Sequence, residues 1–276
     1  MTNKTILKWA GSKARIIDKL LPHLPAGRRL VEPFAGSCAV MMNTDYPAYL
    51  VADVNADLIN FYWFVVNFPE FVTAEGERLF RRNHEADYYR IRESFNNGEK
   101  RTNFNTYNAG NGWQAFWFLY LNRHGYNGLC RYNAAGKFNT PFGHYKRTYF
   151  PKAEIDAFVL KAGAADVSLL HLEWQDTLTL VDYGDVVYCD PPYLGTFSQY
   201  HQSVFAQADH EALAMDLYTL NAHLGVPVTV SNSIAANELY TDLGFTVHEI
   251  NAPRNIAANG NRQPAKEIIA VLRGRV

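Results

Sequence analysis

Apolar positions fall into two rhythms along the chain. Short blocks rich in Val, Leu and Tyr stand between turn residues at 29–34, 49–54, 167–172, 185–190 and 227–231, and blocks of that length and content predict buried strands. Longer stretches with apolar residues at helical spacing fill 56–68, 209–224 and 235–243, and a further helical stretch is expected from Cys38. Strands alternating with helices predict βα units and a mostly parallel sheet. The last two strand patterns, 246–251 and 266–272, have no helical pattern between them, so they are expected as an antiparallel pair at the end of the sheet.

The alternation breaks between about 70 and 150, where the chain turns aromatic and rich in Asn and Gly. That stretch reads as an insert between two βα halves, with Trp113-Gln114-Ala115-Phe116-Trp117-Phe118 as its own hydrophobic core. An open parallel sheet binds its ligand outside the carboxyl ends of its strands. The residues that close strands are therefore the candidates for chemistry.

Composition adds one strong local signal to a plain background. A chain of 276 residues, 48% hydrophobic and 19% charged, suffices for one α/β core plus an insert. No apolar run approaches the roughly 18 residues of a membrane span and the N-terminus lacks the apolar block of a signal peptide, so a cytoplasmic protein without a membrane partner is expected. The three cysteines, Cys38, Cys130 and Cys189, are too scattered for a disulfide framework or a zinc site and read as small buried residues; no metal is expected. The net charge of −1 hides an asymmetry, because from Lys100 to Lys152 there are eight basic residues and no Asp or Glu, where the chain's average frequency gives about five acidic ones. The eight are Lys100, Arg101, Arg123, Arg131, Lys137, Lys146, Arg147 and Lys152, interleaved with Tyr, Phe, Asn and Gly. This composition predicts a surface that meets phosphates and bases.

Two strand ends carry chemistry. Glu32-Pro33-Phe34-Ala35-Gly36-Ser37 follows the first strand, where a glycine lets backbone approach a ligand, and Asp53 closes the second, where a carboxylate can bind the two hydroxyls of a ribose. A single glycine does not make the G-x-G-x-x-G fingerprint, which leaves a nucleoside without a pyrophosphate. Further on, Val186-Val187-Tyr188-Cys189 stops at Asp190-Pro191-Pro192-Tyr193. Two prolines cannot extend a ladder and hold one extended turn, so Asp190 and Tyr193 stand at the sheet's edge. The Asp190 carboxylate and the Pro191 carbonyl are two acceptors for the hydrogens of an exocyclic amine, whose lone pair must be drawn out of its ring before it can be methylated. A base inside a duplex must be flipped out for this, and Tyr193 offers an aromatic plane to stack on. N4 of cytosine or a protein glutamine is a rival acceptor, although both tend to go with Ser or Asn before Pro-Pro. A DNA-binding protein on an inactive transferase fold is another rival, and it would show a lost catalytic or cofactor residue.

Taken together these residues resemble the adenine-N6 DNA methyltransferases of the Dam and DpnII type, the D12 class, over nearly the whole chain. Lys8-Trp9-Ala10-Gly11-Ser12-Lys13 is similar to that family's N-terminal motif, with Ser12 in place of a glycine; 32–37 matches its cofactor motif and 190–193 its DPPY. The resemblance implies a Rossmann-like class I methyltransferase sheet with an inserted, mainly helical DNA-recognition domain containing a β-hairpin. The catalytic domain would be 1–56 and 150–276, and the recognition domain 57–149. S-adenosylmethionine would be held by Trp9, Ala10, Gly11, Lys13, Glu32, Phe34, Gly36, Asp53, Val54 and Asp190, with Asp190, Pro191, Pro192 and Tyr193 catalytic.

Within the insert, 121–133 is similar to the Dam recognition segment nearly residue for residue, and the likeness continues to Lys146. It implies a hairpin with its tip at Tyr126-Asn127-Gly128, Arg131 reading a guanine, Leu129 and Pro141 against thymine methyls, and Lys8 on the first guanine of GATC. Arg92, Asn127, Asn139, Tyr145 and Lys146 would hold the backbone or wedge the duplex. Double-stranded DNA is the implied partner of a monomer, with more than one copy able to act on one DNA, in a bacterial or phage-encoded enzyme. Two departures stand out. His144 replaces an arginine, and the segment 194–205 is shorter than in bacterial Dam, with Tyr200 and His201 retained.

Overall fold

The structure, a computed structural model, describes residues 2–98, 109–195, 205–253 and 265–274. After a short helix α1 (Ile17–Leu20), β1 (Arg29–Glu32) and β2 (Ala48–Asp53) open the sheet. Five helices then intervene, α2 (Ala56–Asn67), α3 (Pro69–Phe80), α4 (Glu85–Asn97), α5 (Ala109–His124) and α6 (Lys152–Ala164). The alternation resumes with β3 (Asp166–His171), α7 (Trp174–Leu178), β4 (Asp185–Cys189), α8 (Gln207–Leu224), β5 (Val228–Ser233), α9 (Asn237–Asp242), β6 (Thr246–Ala252) and β7 (Ala265–Leu272).

The strands form a seven-stranded sheet of order β3-β2-β1-β4-β5-β7-β6, a Rossmann-like arrangement. β1 to β5 run parallel, while β7 lies antiparallel to β5 and β6, as the missing helix pattern between the last two strands predicts. Strand order reverses between β1 and β4, so the crevice of an open sheet falls at their carboxyl ends. Their opposite ends are locked. Asp185, fully buried, takes Arg29 at 2.6 Å and Arg28 at 3.1 Å, which ties the starts of β1 and β4 in register.

α2 starts cleanly because the Asn55 side chain accepts the N–H groups of Asp57 and Leu58. It packs on both α5 and β2. Ala115 to Leu121 of α5 are buried except Trp117, and Trp113 and Trp117 lie half-buried against the same cluster. That cluster does not stay within the helices. It runs on through Tyr62 and Phe61 of α2 to Tyr49, Val51 and Leu30 on one face of the sheet, so 113–118 belongs to a shared core rather than to one of the insert's own. The three cysteines are buried and unpaired, as their spacing predicts. Among the described residues no helix is long and apolar enough to cross a membrane.

Two local expectations are corrected. From Cys38 the chain makes turns and one 3-10 turn, Met41–Asn43, instead of an α-helix. Cys38 itself sits at φ 56°, a left-handed conformation that an α-helix of L-residues cannot contain. Tyr126–Gly128 is likewise a 3-10 turn that follows α5, with Asn127 at φ 53°. The reversal lies further on, where the Asn133 side chain accepts the N–H groups of Ala135 and Lys137. The flanking segments meet antiparallel only in isolated bridges, Gly125 to Phe142 and Tyr132 to Phe138. Asn-Gly chemistry favours positive φ at a helix stop as readily as at a hairpin tip, which is why the pattern pointed to the wrong turn.

Candidate active site

A cleft of about 2170 Å³ opens at the carboxyl edge of the parallel strands. Glu32 ends β1, Asp53 ends β2 and Asp190 follows β4, and all three line it together with Trp9, Lys13, Phe34 and Tyr193. Every residue expected to hold the cofactor lines this one cleft, as do all four of the catalytic segment. Its floor is the loop after β1. Gly36 N donates to Asp53 Oδ2 at 3.0 Å and Tyr62 Oη donates to Gly36 O at 3.1 Å. Gly36 sits at φ 49°, and a Cβ there would stand 2.8 Å from the Trp9 indole nitrogen, so the position admits glycine alone. Ser12 and Ser37 meet at 2.8 Å. The N-terminal segment thus forms the cleft's second wall. Asp53 also accepts Asn55 N at 2.9 Å, so its carboxylate braces the loop, a role its place in the sequence did not reveal.

Asp190-Pro191-Pro192-Tyr193 is held from three sides. Asp190 Oδ2 pairs with Lys13 Nζ at 2.7 Å, and the same ammonium donates to Gly11 O at 2.6 Å and lies 4.9 Å from the Tyr193 ring centroid. Tyr193 Oη donates to Glu267 Oε2 at 2.7 Å. Beyond it, Leu194 N donates to Asn232 Oδ1 at 3.0 Å and Ser233 Oγ donates to Leu194 O at 2.6 Å. The loop is therefore clamped by the end of β5 and the start of β7. Two oxygens in this frame are left over: Asp190 Oδ1 and Glu32 Oε1 are buried with no hydrogen-bond partner among the described residues. Each such acceptor costs about 1–3 kcal/mol until a donor arrives.

Burial sets the charge state of both carboxyls. It pushes Glu32 up to about 8, with a backbone hydrogen bond at Met41 pulling back and the charge of Asp190 adding to the rise. It raises Asp190 to about 6 against the opposing charge and hydrogen bond of Lys13, and Glu267 adds to the rise. A cleft walled by carboxyls poised near neutrality favours a ligand that brings positive charge and N–H donors.

The sequence pattern of the D12 class N6 adenine-specific DNA methyltransferases matches residues 9–256. The chain belongs to that family. It is 50% identical over 271 residues to the retron Ec67 DNA adenine methylase of Escherichia coli, spanning 97% of this chain and 90% of that one. It is also 40% identical over 281 residues to the DNA adenine methylase of Serratia marcescens, spanning 98% and 99%, and 38% identical over 280 residues to that of Escherichia coli K12, spanning 98% and 95%. It is an adenine-specific DNA methyltransferase, and DNA is its substrate.

In this methyltransferase the residues expected to meet DNA divide into two groups. Lys8, Asn127 and Tyr145 line the cleft; Arg92, Tyr126, Leu129, Arg131, Asn139, Pro141, His144 and Lys146 lie outside its lining, with Tyr126, Pro141, His144 and Lys146 exposed. Lys8 Nζ sits 4.1 Å over the Tyr145 ring, and burial holds its pKa below the usual lysine value, helped by Arg123. Arg131 does not hang free. Its Nε donates to Asn139 Oδ1 at 2.8 Å and its Nη2 to Asn139 O at 3.3 Å. Arg92 donates to Thr140 O at 3.1 Å, bracing the same segment from α4. Arg123, counted with the basic surface from sequence, is buried instead, its guanidinium donating to the carbonyls of Ile6 and Thr5. Lys100, Arg101, Tyr200 and His201 lie outside the described residues.

Glu267, Asn232, Ser233 and Asn122 were not singled out by sequence. A faint signal existed for two of them: Ser231-Asn232-Ser233 places polar residues where an apolar strand, Val228-Thr229-Val230, reaches the active edge. Asn122 and Glu267 act on partners far along the chain and leave no local pattern.

Proposed function

We propose that the enzyme transfers the methyl group of S-adenosylmethionine to N6 of an adenine flipped out of duplex DNA, in the sequence GATC. The observation that carries this is Asp190 Oδ1, a buried acceptor without a donor at the end of β4, beside a cleft whose other leftover acceptor is Glu32 Oε1. The two need different donors. An amino group on the target base suits Asp190, and the cationic cofactor suits Glu32.

The residues present fit the cofactor: a glycine loop that a Cβ would fill, a tryptophan lying against it and a buried carboxyl waiting for a donor. Trp9, Phe34, Glu32 and Asp53 would hold it, and when bound it would supply the methyl group from a positively charged sulfur: the S–CH3 bond breaks as the N6–CH3 bond forms, S-adenosylhomocysteine leaves, and the displaced N6 proton passes to Asp190. The chain does the rest by positioning. Asp190 and the Pro191 carbonyl accept the two hydrogens of the amine and turn its lone pair out of the ring. Tyr193 stacks on the extruded base. Recognition of GATC rests on likeness to the Dam type, with Lys8 and Arg131 on guanines and Leu129 and Pro141 on thymine methyls. The Asn139 brace on Arg131 supports it, since a fixed guanidinium can offer its outer edge to the O6 and N7 of guanine without losing rotamer freedom.

Transfer of labelled methyl groups to duplexes with and without GATC tests the proposal. Transfer to N6 of adenine in the GATC duplex alone is expected, with Asp190→Ala inactive although still able to bind DNA. Labelling of cytosine, equal labelling of both duplexes, or near-full turnover by Asp190→Ala would each overturn it.

A further inference from the structure

The hydroxyl of Tyr193 makes a 2.7 Å bond with Glu267, a contact between residues 74 positions apart that joins the catalytic loop to the start of β7. Glu267 pairs in register with Ser233 of β5 and Ile250 of β6. Both Lys266 and Glu267 line the cleft; Lys266 turns to Glu249 on the adjoining strand at 3.1 Å, whereas Glu267 reaches across to the loop. At the other side of the ring stands the Lys13 ammonium, 4.9 Å from the centroid. Tyr193 is thus held at its tip by an anion and over its face by a cation that is itself paired with Asp190.

We infer that Glu267 is a positioning residue for methyl transfer, fixing the Tyr193 ring in the plane on which the extruded base stacks. Two prolines fix the backbone up to Tyr193 but do not by themselves set its side-chain torsions. A ring that must be ordered when the base arrives gives part of the stacking energy back as lost entropy, and a ring already ordered does not. The bond to a carboxylate is of the strong, charge-assisted kind, and β7, paired on both sides with β5 and β6, is a rigid place to anchor it. The inference rests on the stacking role proposed for Tyr193.

A duplex with 2-aminopurine at the target adenine reports base extrusion by its fluorescence, and the unsubstituted duplex gives kcat and KM. Glu267→Ala should lose about tenfold in extrusion and turnover, the scale of one hydrogen bond to a charged group, while cofactor affinity stays put. Glu267→Gln, which keeps an acceptor, should recover part of the loss. Tyr193→Phe keeps the ring and loses only the hydroxyl, so it should match Glu267→Ala, and the double variant should be no worse than either. A purely structural role would not move the pH profile. Asp190 is faced by Lys13, Glu267, Glu32, Tyr188 and Tyr193, and removing the Glu267 charge should shift the acid limb of kcat/KM to lower pH. Should Glu267→Ala fail to fold, Glu267→Gln and Tyr193→Phe carry the comparison. Full extrusion and turnover by Tyr193→Phe, or additive losses in the double variant, would overturn the inference. If Tyr193→Ala itself extruded and methylated normally, the stacking role would fall instead.

Discussion

Asp190 and Lys13 form an ion pair at 2.7 Å in which the lysine side chain is only 5% exposed and the aspartate 18%. The pair is incomplete, because Asp190 keeps one buried oxygen without a partner. As an acceptor for an amine it must be ionised, and its pKa of about 6 places the loss of that form just below neutrality. Activity should therefore fall as pH drops through about 6. Lys13 opposes the effect of burial, so Lys13→Gln should raise the Asp190 pKa and move the acid limb of kcat/KM to higher pH, with about twofold lost at pH 7 if the limb moves by one unit and about tenfold if it moves by two. A pH–rate profile of both proteins checks this; an unmoved limb would mean that another group titrates. Arg131 permits a second residue-scale test. Arg131→Ala should cost about 1–3 kcal/mol of discrimination at one base pair, and Asn139→Ala, which removes the acceptor of Arg131 Nε, should cost part of that at the same base pair. Competition between GATC and singly altered duplexes gives both values. A uniform loss across all duplexes would assign Arg131 to the DNA backbone.

Among the elements, the N-terminal segment is decisive, since it carries Lys8, Trp9 and Lys13 with little regular structure of its own. The last turn of α5 holds it in place. Asn122 Oδ1 accepts Lys8 N at 2.9 Å, and Asn122 Nδ2 donates to Lys8 O at 2.6 Å and to Gly128 O at 3.0 Å. A side-chain amide therefore does what a paired strand would do, and it links the segment to the turn that starts the recognition region. Asn122→Ala should lower stability by about 1–3 kcal/mol, the cost of leaving buried backbone groups unpaired, and weaken cofactor binding and GATC discrimination together. Urea titration and the two binding assays check this; loss of stability alone would show that the segment finds its place without α5. The same contrast explains what was legible in the sequence. Buried parallel strands demand blocks such as Val186-Val187-Tyr188-Cys189, so the strands whose ends bear Glu32, Asp53 and Asp190 could be read locally. The helix expected from Cys38 failed on one positive φ, and the hairpin tip on an Asn-Gly that sits in a 3-10 turn after α5. Ties such as Asn122 to Lys8, 114 residues apart, have no local pattern to read.

At the scale of the whole molecule, the active cleft is a place where stability is given up for function. Glu32, raised to about 8, binds a proton in the folded protein that the unfolded chain releases near 4.5. The folded state therefore holds more protons between those values, and the contribution of Glu32 to stability falls as pH rises through that range, at about 1.4 kcal/mol per pH unit. Three histidines act in the opposite sense at lower pH. His23, His124 and His210 are held below the usual histidine value, chiefly by burial, His124 at about 4, so each makes the protein more stable as pH rises towards 6.5. The window from about 6.5 to 8 is thus where the buried carboxyl is seen most cleanly. There, Glu32→Gln should remove roughly 1–2 kcal/mol of pH-dependent destabilisation and raise the melting midpoint by a few degrees at pH 8, with little gain at pH 5. A cationic cofactor that favours the ionised carboxyl should do the same for the wild type, so the stabilisation by S-adenosylmethionine should grow with pH in this window and its binding should release protons. Melting curves at pH 5, 6.5 and 8, with and without cofactor, decide the matter. Equal midpoint gains for Glu32→Gln at all three pH values would mean that Glu32 acts by packing, and that its buried oxygen is no proton site waiting for a cation.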